Sequence, residues 1–237
     1  MKNANNYKWL IVVEGSTDVS TYEELLIQYG VKRKDIHLVS TSGKSRVCDT
    51  STWNEIRVPG SDGSLFETLK NAIGRSSFKG VVLIVDSDSD NFSAFDTYKR
   101  NDHLDYIESS LPTITRRMSF CCIDEINGTN KIPIYGVNVP LSTTGCLETD
   151  LLNSYGFPIE GQAEYNDVVN TIKKASGYWQ IPKKGDGKDW WEENDRAKFD
   201  KYIYTAFYRG FKVSGQTAVL PSEPDVIRNI KTTIGWA

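Results

Sequence analysis

The chain is poor in the side chains that carry soft-metal and redox chemistry: 237 residues include four cysteines, two histidines and two methionines. Cys48, Cys121, Cys122 and Cys146 form no Cys-x-x-Cys pair, and only His37 and His103 could complete a ligand set, which argues against structural zinc. The adjacent Cys121 and Cys122 lie in an apolar run and read as buried strand residues facing opposite ways. No apolar run approaches the length that spans a bilayer, and Trp9 to Val13 is too short for a signal peptide. The expectation is therefore a cytoplasmic protein with no membrane association. Nor is there an excess of positive charge: 28 Lys and Arg face 31 Asp and Glu, for a net charge of -3. This balance argues against a generally basic nucleic-acid coat but leaves room for a local basic groove. Internal repeats and low-complexity segments are also lacking.

What is present is an alternation of buried-strand and helix signals. Trp9-Leu10-Ile11-Val12-Val13 is a short, continuous apolar run rich in β-branched residues, as expected of a strand covered on both faces of a parallel sheet. Val19 to Tyr29 follows as an amphipathic helix with Tyr22, Leu25, Leu26 and Tyr29 on one stripe, and Gly30 is placed to stop it. Ile36 to Val39 predicts a strand, Ser40 to Thr52 a loop or hairpin insertion, Glu55 to Val58 a further strand, and Ser64 to Ile73 a helix. Val81-Val82-Leu83-Ile84-Val85 is the strongest buried-strand signal in the chain. A helix is expected from about Phe92 to Leu111, then strands at Ser119 to Ile123 and Ile132 to Val139 around the turn Asn127-Gly128. Beyond Pro140 the strand signals cease. Leu147 opens a helical section, and 160–176, 192–208 and 222–235 read as further helices. The fold class expected is α/β, a mainly parallel sheet flanked by helices with a helical C-terminal extension. The division falls near residue 140: a core over 1–140, with an insertion at about 31–57, and an extension over 141–237 that packs on it.

Two of these strands run straight into carboxylates. Glu14 ends the first, and Asp86-Ser87-Asp88-Ser89-Asp90 ends the strongest. Open parallel sheets bind ligands beyond the carboxyl ends of their strands. If the two strands are neighbours, Glu14, Asp18, Asp86 and Asp88 converge. Crowded carboxylates repel one another and raise each other's pKa, a conflict that a bound dication removes. Oxygen ligands without imidazole or thiolate select Mg²⁺ or Mn²⁺. Taken singly, each motif has a simpler reading. The aspartate run suits a solvated turn, and Thr17 or Asp18 suits a helix cap.

In this order the two motifs resemble those of the Toprim superfamily. Val12-Val13-Glu14-Gly15-Ser16-Thr17-Asp18 is similar to its first motif, and Val85-Asp86-Ser87-Asp88 to its second. The resemblance covers roughly residues 7–140 and implies that Glu14 acts as general acid/base while Asp86 and Asp88 hold Mg²⁺. Gly145-Cys146-Leu147-Glu148-Thr149-Asp150 and Arg196-Ala197-Lys198-Phe199 further resemble segments of small standalone Toprim-like bacterial and archaeal proteins of unassigned function. The site is also similar to that of the overcoming-lysogenisation-defect nucleases. The chain departs from the superfamily in having Asn91 where many members place glycine, and in carrying no zinc, helicase or ATPase module.

The remaining candidates each have two readings. Glu148 is either a further metal ligand, which would allow a two-metal site, or a first-turn helix carboxylate. Asp90 joins the same ligand set. Lys183, Lys184 and Lys188 beside Trp179, Trp190 and Trp191, with Lys198, form either a single-strand-binding cluster or helix packing. Gly43-Lys44-Ser45 lacks the upstream glycine of a phosphate loop, since Leu occupies position 38. Three functions follow: a Mg²⁺-dependent enzyme cleaving phosphodiesters in DNA or RNA, a non-catalytic nucleic-acid- or metal-binding module working with a partner such as an ATPase, or a nucleotidyl or phosphoryl transferase acting on a small nucleotide.

Overall fold

The computed structural model describes residues 8–61, 63–72, 79–87, 104–107, 115–124, 128–141, 145–156, 164, 167, 170, 200 and 222–236; for Cys48, 104–107, 115–124 and 128–131 the description is of the backbone alone. In chain order the elements are β1 (Trp9–Val13), α1 (Ser16–Gln28), β2 (Ile36–Ser40), α2 (Lys44–Cys48), α3 (Leu65–Ala72), β3 (Gly80–Asp86), β4 (Leu104–Ile107), β5 (Thr115–Asp124), β6 (Gly128–Val139), α4 (Leu147–Ser154) and α5 (Asp225–Thr233), with short 3-10 turns at Arg33–Asp35 and Thr50–Asn54. The six strands form one sheet in the order β2-β1-β3-β6-β5-β4. The pairs β2–β1, β1–β3 and β3–β6 are parallel, whereas β6–β5 and β5–β4 are antiparallel. The protein is therefore α/β with a mainly parallel sheet.

The alternation of side chains along each strand divides the core in two. On one face Leu10, Val12, Val81, Leu83 and Val85 pack with Val47 of α2, Trp53 and the α3 residues Leu65 and Leu69. On the other, Ile11, Val13, Val82 and Ile84 meet Tyr22, Leu25 and Leu26 of α1, Leu147 and Leu151 of α4, and Val226, Ile227 and Ile230 of α5. Every β1 residue is buried because both faces are covered, which is why its sequence is apolar throughout instead of alternating. The C-terminal helix thus shares a core with the first helix. Its entry is pinned by Tyr29 Oη donating to the Ser222 carbonyl (2.9 Å) and Ser222 Oγ donating to that of Ser154 (3.1 Å).

Gly80, at the start of β3, sits where β1 and β6 close in. A Cβ there would lie 2.6 Å from the Pro133 carbonyl oxygen and 3.0 Å from the Trp9 ring. Backbone cannot yield as a flexible side chain would. Gly80→Ala is expected to cost about 2 kcal/mol or more, read as a lowered urea midpoint with an unchanged slope.

Three expectations from the sequence are corrected. Ser40 to Thr52 is neither loop nor hairpin: it holds α2 and the second 3-10 turn, where Asp49 Oδ1 accepts from the Ser51 amide (3.0 Å) and Ser51 Oγ (2.7 Å). Glu55 to Val58 is not a sheet strand; only Arg57 pairs, in an isolated bridge to Ser64. The segment assigned to a long helix from Phe92 to Leu111 contains β4, which pairs antiparallel with β5. Ile36–Ser40 forms the edge strand β2, and Val47, Trp53 and Ile56 are buried in the core. Within 160–176 and 192–208 the described residues Glu164, Asp167, Asn170 and Asp200 are helical.

Candidate functional site

The four parallel strands end at one edge of the sheet, and this topology assembles the acidic residues. β1 and β3 are direct neighbours; continuing their register places Glu14 opposite Val85, one residue before Asp86. Glu14 Oε1 accepts a hydrogen bond from the Asp86 backbone amide (2.8 Å), joining motifs 72 positions apart. Asp86 Oδ1 in turn accepts from the Leu147 amide (3.1 Å). Leu147 is the first residue of α4, so its N–H has no partner within the helix and points to whatever lies beyond the terminus. A carboxylate there gains a charge-assisted bond and the favourable end of the helix dipole. Ser87 continues the edge, its amide donating to the Val139 carbonyl (2.7 Å) and its Oγ to that of Pro140 (3.1 Å).

Asp18 occupies the third position of α1. Its Oδ2 accepts from the Gly15 amide (2.8 Å), while the Asp18 amide donates to the Gly15 carbonyl (3.2 Å). This is the helix-capping role: with glycine at the cap position, the reaching-back carboxylate satisfies a terminal donor that no cap side chain could. Glu148 is partly buried in the first turn of α4. Asp88, Asp90, Lys183, Lys184, Lys188 and Lys198 lie outside the described residues.

Tyr22 reports on how closely the acids gather. It is fully buried on α1, and its phenol is driven well above the usual tyrosine range, first by burial and then by the negative charges of Asp86, Asp18, Asp150 and Glu148. Carboxylates from α1, β3 and α4 therefore act on one hydroxyl. The group stays neutral at any physiological pH. The sequence placed Tyr22 only on the inward stripe of its helix; its position four residues after Asp18, hence on the same helix face, was the available signal.

Asp150, 4% exposed, lies on the same turn of α4, and burial raises its pKa to about 6. Its Oδ2 accepts from the Val226 amide at the start of α5 (3.0 Å). The cap position of α5 is Pro224, which offers no side-chain acceptor, so Asp150 supplies the cap from another helix.

Among the described residues no group of three or more His, Cys, Asp or Glu side chains is placed to hold a metal ion, and no helix is long and apolar enough to cross a membrane. The chain matches no family model, no curated protein and no solved structure. Its chemistry must be argued from the site itself. The motif pair suits a hard dication in kind, since Glu14 and Asp86 offer carboxylate oxygen only. Each is oriented by a backbone amide, Glu14 by that of Asp86 and Asp86 by that of Leu147.

Proposed function

We propose that the protein is a Mg²⁺-dependent phosphodiester-cleaving enzyme of the Toprim kind, acting on DNA or RNA. The observation that supports this reading is the bond from the Asp86 backbone amide to Glu14 Oε1 (2.8 Å), made where two adjacent parallel strands run into the motif residues. Asp86 with Asp88 would hold the ion, and Asp90 and Glu148 are the further carboxylates available to it. These residues would hold Mg²⁺, whose chemistry there would be charge neutralisation at the phosphate and a lowered pKa of water. Glu14 moves the proton, its orientation fixed by the Asp86 amide. Asp18 caps α1 through Oδ2, as Asp86 accepts from the Leu147 amide through Oδ1, and remains a further carboxylate available to the ion. The nucleic-acid contacts are assigned to the lysines Lys183, Lys184, Lys188 and Lys198.

Mg²⁺ and Mn²⁺ calorimetry on the native protein beside Asp86→Asn tests this assignment. The asparagine oxygen still accepts from the Leu147 amide, so the site keeps its shape and loses one charge. Affinity is expected to fall about 100-fold or more, beyond what loss of an outer-shell partner produces. Unchanged affinity overturns the assignment. Metal binding by the native protein without Mg²⁺-dependent cleavage of single- or double-stranded DNA or RNA replaces the enzyme with a binding module.

A further inference from the structure

We infer that Asp200 and Thr149 form a positioning relay that holds the first turn of α4 against Asp86, and so sets the metal affinity of the acidic edge. The inference rests on Asp86 being the metal-holding residue of the proposed function. Asp200 is a buried carboxylate, 2% exposed, and Thr149 is completely buried. Thr149 Oγ1 donates to Asp200 Oδ2 (2.6 Å). The same oxygen accepts from the Cys146 amide (3.1 Å). The next amide along, that of Leu147, donates to Asp86 Oδ1 (3.1 Å). Two consecutive amides at the helix start are thus held from opposite sides, one by Asp86 and one by the relay.

The chemistry of the cap explains why a relay is needed. Cys146 occupies the cap position, where serine, threonine or aspartate would normally accept from the helix amides. A thiol is a poor acceptor. Thr149, three residues on, bonds back to the cap amide instead, as the far member of a capping box does. A lone hydroxyl would hold that amide weakly. A carboxylate pulling on the hydroxyl proton polarises Oγ1 and strengthens the bond it accepts. Burial also matters: a carboxyl group sequestered this deeply needs its hydrogen bonds made. Gly145 completes the fit. At φ +137° it lies so close to Thr149 that a Cβ would overlap Oγ1, so this placement of Thr149 requires glycine at 145. In the relay the action of Asp200 passes through Thr149 and the helix terminus.

Thr149→Val keeps the shape and removes the hydroxyl, whereas Thr149→Ser keeps the hydroxyl and removes a methyl. Two readouts are taken on the full chain: hydrogen exchange at the Cys146 and Leu147 amides without metal, and Mn²⁺ affinity by calorimetry. The relay requires Thr149→Val to speed exchange at both amides at least about tenfold and to weaken Mn²⁺ binding about 10–100-fold, the range for outer-shell partners. Thr149→Ser restores both towards native. Packing alone predicts the reverse order, with valine near native and serine impaired, and that result overturns the inference, as does exchange unchanged in both variants. If Thr149→Val does not fold, Asp200→Asn carries the same test: its amide oxygen still accepts from Thr149 without the charge, and native exchange and affinity in that variant overturn the relay. If the native protein binds no Mn²⁺, the metal reading fails while amide exchange still decides whether the relay exists.

Discussion

Replacing Glu14 by glutamine is expected to lower Mg²⁺-dependent cleavage by roughly 10²–10⁴-fold while leaving the fold intact. The two consequences separate because the proposed mechanism gives the residue a second task beside its hydrogen bond. Its Oε1 accepts from the Asp86 amide, and a glutamine oxygen can continue to do so. The amide cannot take up a proton, so acid/base function is removed without disturbing the neighbouring strand. Metal affinity should fall by about thirtyfold at most, since one charge lost about 4 Å from a solvated dication is worth about 2 kcal/mol. Glu14→Ala differs instructively: it also strands the Asp86 amide and should cost about 1–2 kcal/mol of stability that Glu14→Gln does not. Turnover on single-stranded and duplex oligonucleotides, with calorimetry and urea unfolding on the same preparations, reads all three quantities. Cleavage within about threefold of native in Glu14→Gln would remove Glu14 from the proton-transfer role, whatever became of the metal.

The parts of this arrangement that were legible in the sequence are those governed by local pattern. β1 and β3 announced themselves as unbroken apolar runs because both faces are covered, and α1 by its stripe and the stop at Gly30, whose φ is +97°. That carboxylates end both strands was equally plain. That β1 and β3 are neighbours was not, because strand order depends on long-range packing that no local window contains. β4 was hidden for a related reason: four residues at the sheet edge carry too weak an alternation to compete with a helix read across a longer window. Asp150 and Asp200 lacked any local signature. Their significance comes from partners 76 and 51 positions away, the Val226 amide and the Thr149 hydroxyl. The Asp18 cap, by contrast, was one of two readings open from the sequence, and its bond to Gly15 is local.

Asp150 gives the second large effect, on stability instead of turnover. Burial raises its pKa to about 6 from an ordinary 3.8; the charge of Asp225 adds to the rise, while the bond from Val226 and the charge of Arg228 oppose it. A carboxyl whose folded pKa lies above its unfolded value binds its proton more tightly in the native state. Its ionisation therefore opposes folding, and stability falls as pH rises through the window between about 4 and 6. A shift of roughly two units corresponds to about 3 kcal/mol once the group is fully charged near pH 7. Asp150→Asn keeps an oxygen for the Val226 amide and cannot ionise. The stability difference between native and variant should thus change by about 2 kcal/mol between pH 4 and pH 7, in favour of the variant at the higher pH. Urea unfolding of both proteins across that range measures it, and parallel curves would mean that Asp150 ionises as freely in the folded chain as in the unfolded one. The size of the effect also shows which force dominates at this turn. A helix cap is worth about 1 kcal/mol, less than the cost of burying the charge that provides it. The carboxylate nonetheless sits between α4, whose first amide holds Asp86, and the start of α5, so protonating it alters the junction immediately behind the acidic edge.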